Sequence, residues 1–213
     1  MKKTLSTLFL SSALLLAACA NDQDTTDDTA TTDEADTTEE VVDETTVEET
    51  TDDTVMEESV EVTMLNADGE ESGTATFSET EDGVTLTYAF TNLPEGEFGM
   101  HIHETGLATA PDFGDADGHW NPADVDHGIN SETGPHLGDL PNIVVDSSGE
   151  VSGEELLEEA TLAEDAPEGK YSLHNGGQGT ALIVHDGADD YESQPTGDAG
   201  DRQLGGVIIP KSE

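Results

Sequence analysis

The sequence predicts an all-β domain, a sandwich or barrel of short antiparallel strands. Apolar residues recur at every second position in several runs, most cleanly at Val84, Leu86, Tyr88 and Phe90. Clusters of Gly, Pro, Asn and Asp separate these runs, as turns separate strands. Two long connections, Thr105 to Pro141 and Asp186 to Leu204, carry almost no strand or helix pattern. Connections of that length inside a compact domain are usually functional or disordered, and the three histidines of the first favour a functional loop.

The elements follow in chain order. Val60, Val62 and Met64 alternate with polar residues, and Ala67-Asp68-Gly69 turns the chain. Thr74 to Ser78 is a second β-prone run. Val84 to Phe90 is the third, closed by Leu93-Pro94-Glu95-Gly96. Met100 to Glu104 continues the alternation. Asn142 to Asp146, Lys170 to Leu173, Ala181 to His185 and Gly206 to Ile209 supply the remaining strands. Glu154 to Ala160 is rich in Glu, Leu and Ala and reads as a helical turn, a propensity that sheet context can override.

The first quarter of the chain is of another kind. Met1-Lys2-Lys3 is basic, Leu5 to Ala18 is largely apolar, and Leu16-Ala17-Ala18-Cys19 ends the run. This is the anatomy of a signal peptide over residues 1–18, too short for a transmembrane span. Its ending resembles a bacterial lipobox. That implies cleavage before Cys19 and lipidation of its thiol, and so an extracytoplasmic protein held to the membrane by lipid. Residues 20–58 hold 17 acidic residues and no Lys or Arg. Such a segment cannot bury a core, and residues 19–58 are expected to form a disordered, self-repelling tether. The folded domain then spans residues 59–213. Cys19 is the only cysteine, so the domain holds no disulfide.

Charge narrows the partners. The formal net charge is −45, and from Glu61 onward 33 acidic residues face only Lys170, Arg202 and Lys211. This surface repels phosphate backbones, which argues against nucleic-acid binding. It also argues against docking on anionic lipid other than through the Cys19 anchor.

The chemistry lies in six of the seven histidines. His101 and His103 stand two apart on an expected strand, so both rings project from one face while Met100 and Ile102 project from the other. His185 ends another apolar strand. Histidines held by rigid strands suit copper, because imidazole binds Cu(II) well and the strands limit rearrangement between oxidation states. His119, His127, His136 and Asp139 come from the first long connection. Three imidazoles and one carboxylate make a complete tetrahedral zinc set of the structural kind. Zinc bound there would order a loop with few apolar residues of its own. His174 stands outside this pattern and reads as an ordinary, exposed residue.

The matching runs are Met100-His101-Ile102-His103-Glu104, His119-Trp120-Asn121-Pro122, Gly134-Pro135-His136-Leu137-Gly138-Asp139-Leu140, Val184-His185-Asp186-Gly187-Ala188-Asp189-Asp190 and Gly197-Asp198-Ala199-Gly200-Asp201-Arg202. Through them, nearly all of Val60 to Pro210 resembles the copper/zinc superoxide dismutases. The resemblance implies an eight-stranded antiparallel Greek-key barrel with two long functional loops. It implies copper at His101, His103, His119 and His185, with His119 bridging as an imidazolate to zinc at His127, His136 and Asp139. Asp189 would accept hydrogen bonds from a ligand of each metal, His101 and His127. Arg202, the only arginine, would attract and orient superoxide. His119 would also store a proton. The alternative reading is a non-catalytic module of the same fold that buffers zinc or copper.

Two departures from the family stand out. The family ties its metal-bearing loop to the barrel with a disulfide, whereas Ala108 to Asp117 holds no cysteine and Gly205 stands at the partner position. Loop order is therefore expected to depend more on zinc, and the family's usual dimer contacts are not assumed, which leaves the oligomeric state open. The second loop, Tyr191-Glu192-Ser193-Gln194-Pro195-Thr196, has no lysine to steer an anion. Arg202 and the metal remain as the attraction against a negative surface.

Overall fold

Residues 58–213 are described by the structure, a computed structural model. The expected signal segment, Cys19 and nearly all of the expected tether lie outside the described residues. Strands β1 (Ser59–Asn66), β2 (Glu71–Glu79) and β3 (Val84–Phe90) form an antiparallel meander. Then come β4 (Gly96–Phe98), β5 (Met100–His103), β6 (Ile143–Val145), β7 (Val151–Leu157), β8 (Ala160–Thr161), β9 (Tyr171–Ser172), β10 (Thr180–His185) and β11 (Arg202–Ile209). Among the described residues the only helical turns are 3-10, at Gly114–Ala116 and Asn175–Gly177.

The main sheet runs β5-β10-β11-β1-β2-β3-β7, and β6 pairs with β4. Treating β4 and β5 as one strand interrupted at Gly99, the curled antiparallel ladder has eight strands from β6 to β7. The connections from β3 to β4 and from β7 to β10 join strands that are not neighbours, the crossing that makes a Greek key.

Alternation fills the interior. Val62, Met64, Phe77, Val84, Leu86, Phe90, Met100, Ile102, Leu182, Val184, Leu204 and Ile208 form one buried cluster. β10 is buried on both faces. Leu182 and Val184 point into that core, while Ala181 and Ile183 meet Phe113 and Ala116 of the long loop in a second, smaller cluster. The loop thus has apolar anchors of its own, Phe113 and Trp120 among them, beyond any order that a metal would supply.

The helical turn expected at Glu154 to Ala160 is a strand instead. β7 pairs with β3 from Val84↔Leu157 to Phe90↔Val151, and its inward and outward positions alternate. The ladder satisfies the backbone of the whole segment at once, which outweighs the weak helix preference of Glu and Leu. The short strands β4 and β8 carry too few residues to show alternation.

Candidate metal centre

The site is built on the outer face of β5 and β10. His101 pairs with Ile183 and His103 with Ala181, so both rings stand on the face away from the main core. The free edge of β5 is then covered by loop backbone. Ile102 N–H donates to Gly138 O at 2.8 Å, and Trp120 N–H donates to Ile102 O at 2.7 Å. Gly138 N–H donates to Trp120 O at 2.9 Å. These bonds set His119 beside His103 and Asp139 beside His101.

Two groups of side chains converge. His101, His103, His119 and His185 place one potential ligand atom each within 4.8 Å of one another, and His119, His127, His136 and Asp139 do the same. The six rings are buried. His119 belongs to both groups, so the predicted residues do come together around two adjacent centres sharing one ring. His174 joins neither. It is half-buried rather than exposed, and its carbonyl accepts the Gly177 and Gly179 N–H groups.

In the first group, hydrogen bonds fix which ring nitrogen of each histidine stays free. A carbonyl or carboxylate can only accept, so the nitrogen facing it carries the proton. His103 Nδ1 donates to Asp117 O at 2.8 Å and His185 Nδ1 to Gly200 O at 3.2 Å, which leaves both Nε2 atoms free, 3.4 Å apart. His101 Nε2 donates to Asp189 Oδ2 at 2.8 Å, leaving Nδ1 buried without a partner. His119 Nε2 is likewise buried and unpartnered, while its Nδ1 lies 2.8 Å from Asp139 Oδ1. His127 Nε2 meets Asp189 Oδ1 at 3.0 Å, and its Nδ1 lies 2.9 Å from Asp139 Oδ2 without hydrogen-bond alignment. His136 Nδ1 is 3.1 Å from Asp139 Oδ1. Orphaned buried nitrogens are costly unless something binds them. These are the atoms that two metal ions would take, and the donor types fit copper and zinc.

Burial governs the charge states. It lowers His119 to about 4, despite the Asp139 carboxylate, and lowers His185 to about 3. His103 is also held well below the usual imidazole range by burial, with the charges of His119 and Arg202 adding to it. Burial alone would raise the Asp189 carboxyl, but hydrogen bonds from His101, Tyr191 N–H and His127 outweigh it and hold the group at about 2. Asp139 is driven lower still, since bonds from His119, His136 and Gly128 N–H overcome its burial. The result is neutral His103, His119 and His185 rings and ionised Asp139 and Asp189 carboxylates, the protonation states that metal ligation requires.

Side chains that no sequence motif marked hold the two loops together. The Asn142 amide donates to Asp189 O at 2.9 Å and accepts Asp189 N–H at 3.0 Å. The Gln194 amide donates to His127 O at 2.8 Å and accepts His127 N–H at 2.8 Å. Each loop thus grips the backbone of the residue on the other loop that carries the Asp189–His127 contact. Gly197 makes that contact possible, because at φ +69° any Cβ would collide with Asp189 Oδ1. Arg202, half-buried, donates to Phe113 O at 2.5 Å and Asp117 O at 2.6 Å, and its charge reaches both His103 and His185. Beside it opens a pocket of about 330 Å³ lined by Pro111, Asp112, Gly200, Asp201 and Arg202.

Residues 71–208 match the family model described as copper/zinc superoxide dismutase. The chain belongs to the copper/zinc superoxide dismutase family. Its relatives include a copper/zinc superoxide dismutase of Aquifex aeolicus, 42% identical over 146 residues, covering 68% of this chain and 84% of that one. Another, from Legionella pneumophila, is 38% identical over 143 residues, covering 64% and 76%. Among solved structures, a superoxide dismutase-like protein from Bacillus subtilis aligns with a TM-score of 0.65 at 33% identity, covering 70% of this chain and 97% of that one. The copper/zinc superoxide dismutase of Brucella abortus aligns with a TM-score of 0.56 at 29% identity, covering 71% and 99%. Copper and zinc are the family's metals, and the two groups centred on His119 are where this chain could hold them.

Proposed function

We propose that this protein dismutates superoxide at a histidine-bridged copper/zinc site outside the cytoplasmic membrane. Copper is assigned to His101, His103, His119 and His185, an all-imidazole set on rigid strands. Zinc is assigned to His119, His127, His136 and Asp139, a closed set of three imidazoles and a carboxylate. The observation that carries this reading is the His119 ring, which belongs to both groups, with a buried, unpartnered Nε2 and an Nδ1 against Asp139 that would exchange its proton for zinc.

Copper, when bound, supplies the one-electron chemistry: one superoxide loses an electron to become oxygen, and a second gains one with two protons to become hydrogen peroxide. The residues supply the rest. Arg202 attracts the anion and orients it, its guanidinium aimed by the Phe113 and Asp117 carbonyls. Asp189 fixes the rings of His101 and His127 through one carboxylate. His119 Nε2 is the atom at which a proton is held between the two half-reactions.

Metal analysis with a superoxide-consumption assay on purified protein tests the reading. The expected result is one copper and one zinc per chain with activity, and His101→Ala should abolish activity while zinc stays bound. A protein that binds zinc or copper but consumes no superoxide is instead a metal-buffering module. The location rests on residues 1–19. Fatty-acid labelling lost in Cys19→Ala, with release of the protein from the membrane fraction, is the outcome expected; an unlabelled wild type rejects the anchor.

A further inference from the structure

The turn that aims Arg202 has an anchor of its own. The two carbonyls that receive its guanidinium, Phe113 O and Asp117 O, flank the 3-10 turn Gly114–Ala116. Both flanking residues sit at positive φ, 51° and 65°, a backbone uncommon for non-glycine residues and most of all for a bulky one such as Phe113. The surroundings here are apolar. The Phe113 ring has no exposed surface and packs with Ala116 against Ala181 and Ile183 on the outer face of β10. It also lies directly on Gly205 of β11, where a Cβ would stand 2.5 Å from ring Cδ1 and 3.0 Å from Cε1. Gly205 is three residues beyond Arg202 on the same strand. The ring is therefore clipped to the two strands that carry His185 and Arg202, which pair with each other.

We infer that Phe113 is a positioning residue for superoxide: its ring, seated on Gly205, fixes the two carbonyls that orient Arg202. The inference rests on the reading of Arg202 as the anion-orienting group. The clip is an apolar contact that contains no thiol, so cysteine oxidation or reduction does not act on it. Asp117 O also accepts the His103 Nδ1 proton, so the same turn touches the copper set, and the test must separate the two effects.

Azide serves as the anion probe, titrated into copper- and zinc-loaded protein and followed by copper absorbance or paramagnetic resonance. Melting of the metal-free protein is measured alongside. Arg202→Ala sets the loss expected when the cation is gone. Phe113→Ala should weaken azide binding about tenfold, close to that limit, as expected when a charge-assisted contact loses its geometry. The double variant should bind no more weakly than Arg202→Ala alone, because the two changes act through one contact. Phe113→Leu, which keeps part of the apolar contact, should fall between and carries the test if the alanine variant does not fold. Unchanged azide affinity in Phe113→Ala or Phe113→Leu beside a weakened Arg202→Ala overturns the inference, even if melting falls. Additive losses in the double variant overturn it too, since Phe113 would then act through His103. Wild-type affinity in Arg202→Ala removes the role given to Arg202 and this inference with it.

Discussion

Acidifying the metal-free protein should remove a large part of its stability well before its surface carboxylates titrate. His185 and His119 have an ordinary value of 6.5 and are held at about 3 and about 4 by burial in the folded site. Between these limits the unfolded chain binds protons that the native rings refuse, so stability is full above pH 6.5 and falls as pH drops. Each ring contributes about 1.4 kcal/mol per pH unit, so over about two units the pair costs roughly 5 kcal/mol. His103 is shifted the same way and steepens the slope. A typical domain has only about 5–15 kcal/mol in total. Urea unfolding of metal-free protein at several pH values from about 7 to 4.5 reads the slope directly. His185→Gln should flatten it by about 1.4 kcal/mol per pH unit. Metal-loaded protein should hold its stability to lower pH, because bound ions keep the rings unprotonated. A urea midpoint that does not move across this range would refute the reasoning, since the rings would then accept protons without unfolding.

Other outcomes follow from the same geometry. Asp189→Asn removes the charge that orients His101 and His127 and should weaken metal retention about 10–100-fold, measured by competition with a chelator. Gln194→Ala opens the clasp on the His127 backbone and should speed zinc release about tenfold in a chromogenic chelator assay; release at the wild-type rate would show the clasp to be idle. Salt up to about 0.15 M should raise, not lower, the second-order rate with superoxide, because it screens the net repulsion of a chain at −45 whose pocket beside Arg202 carries Asp112 and Asp201. A rate falling steadily with salt, followed by pulse radiolysis, would reject that view.

Strands with clean alternation, such as Val84 to Phe90, were legible because burial on one face imprints period two on the sequence. β7 was not, because its residues favour a helix when read alone and only the register against β3 decides otherwise. The metal-site residues were legible because metal ligands come from few side-chain types, here His and Asp, whatever the fold around them. Asn142 and Gln194 left no such mark. Their partners are backbone groups 47 and 67 residues away, and an amide bonding to backbone has no sequence signature. Phe113 escaped notice for a similar reason, since an isolated aromatic in a loop reveals its seat only once Gly205 lies beneath it. Gly205 stands where the resemblance places the end of a disulfide, and an aromatic ring lies over it instead.

The outer margin of β5 is sealed by irregular chain, residues 118–120 and 138–140, and not by a neighbouring strand. Peeling that cover back would bare the unpaired backbone edge of Met100–His103 as a short template for a strand from a second molecule. Whatever keeps the two histidine-bearing segments seated therefore also keeps this edge covered, and solubility at high concentration becomes a report on whether the loops are in place.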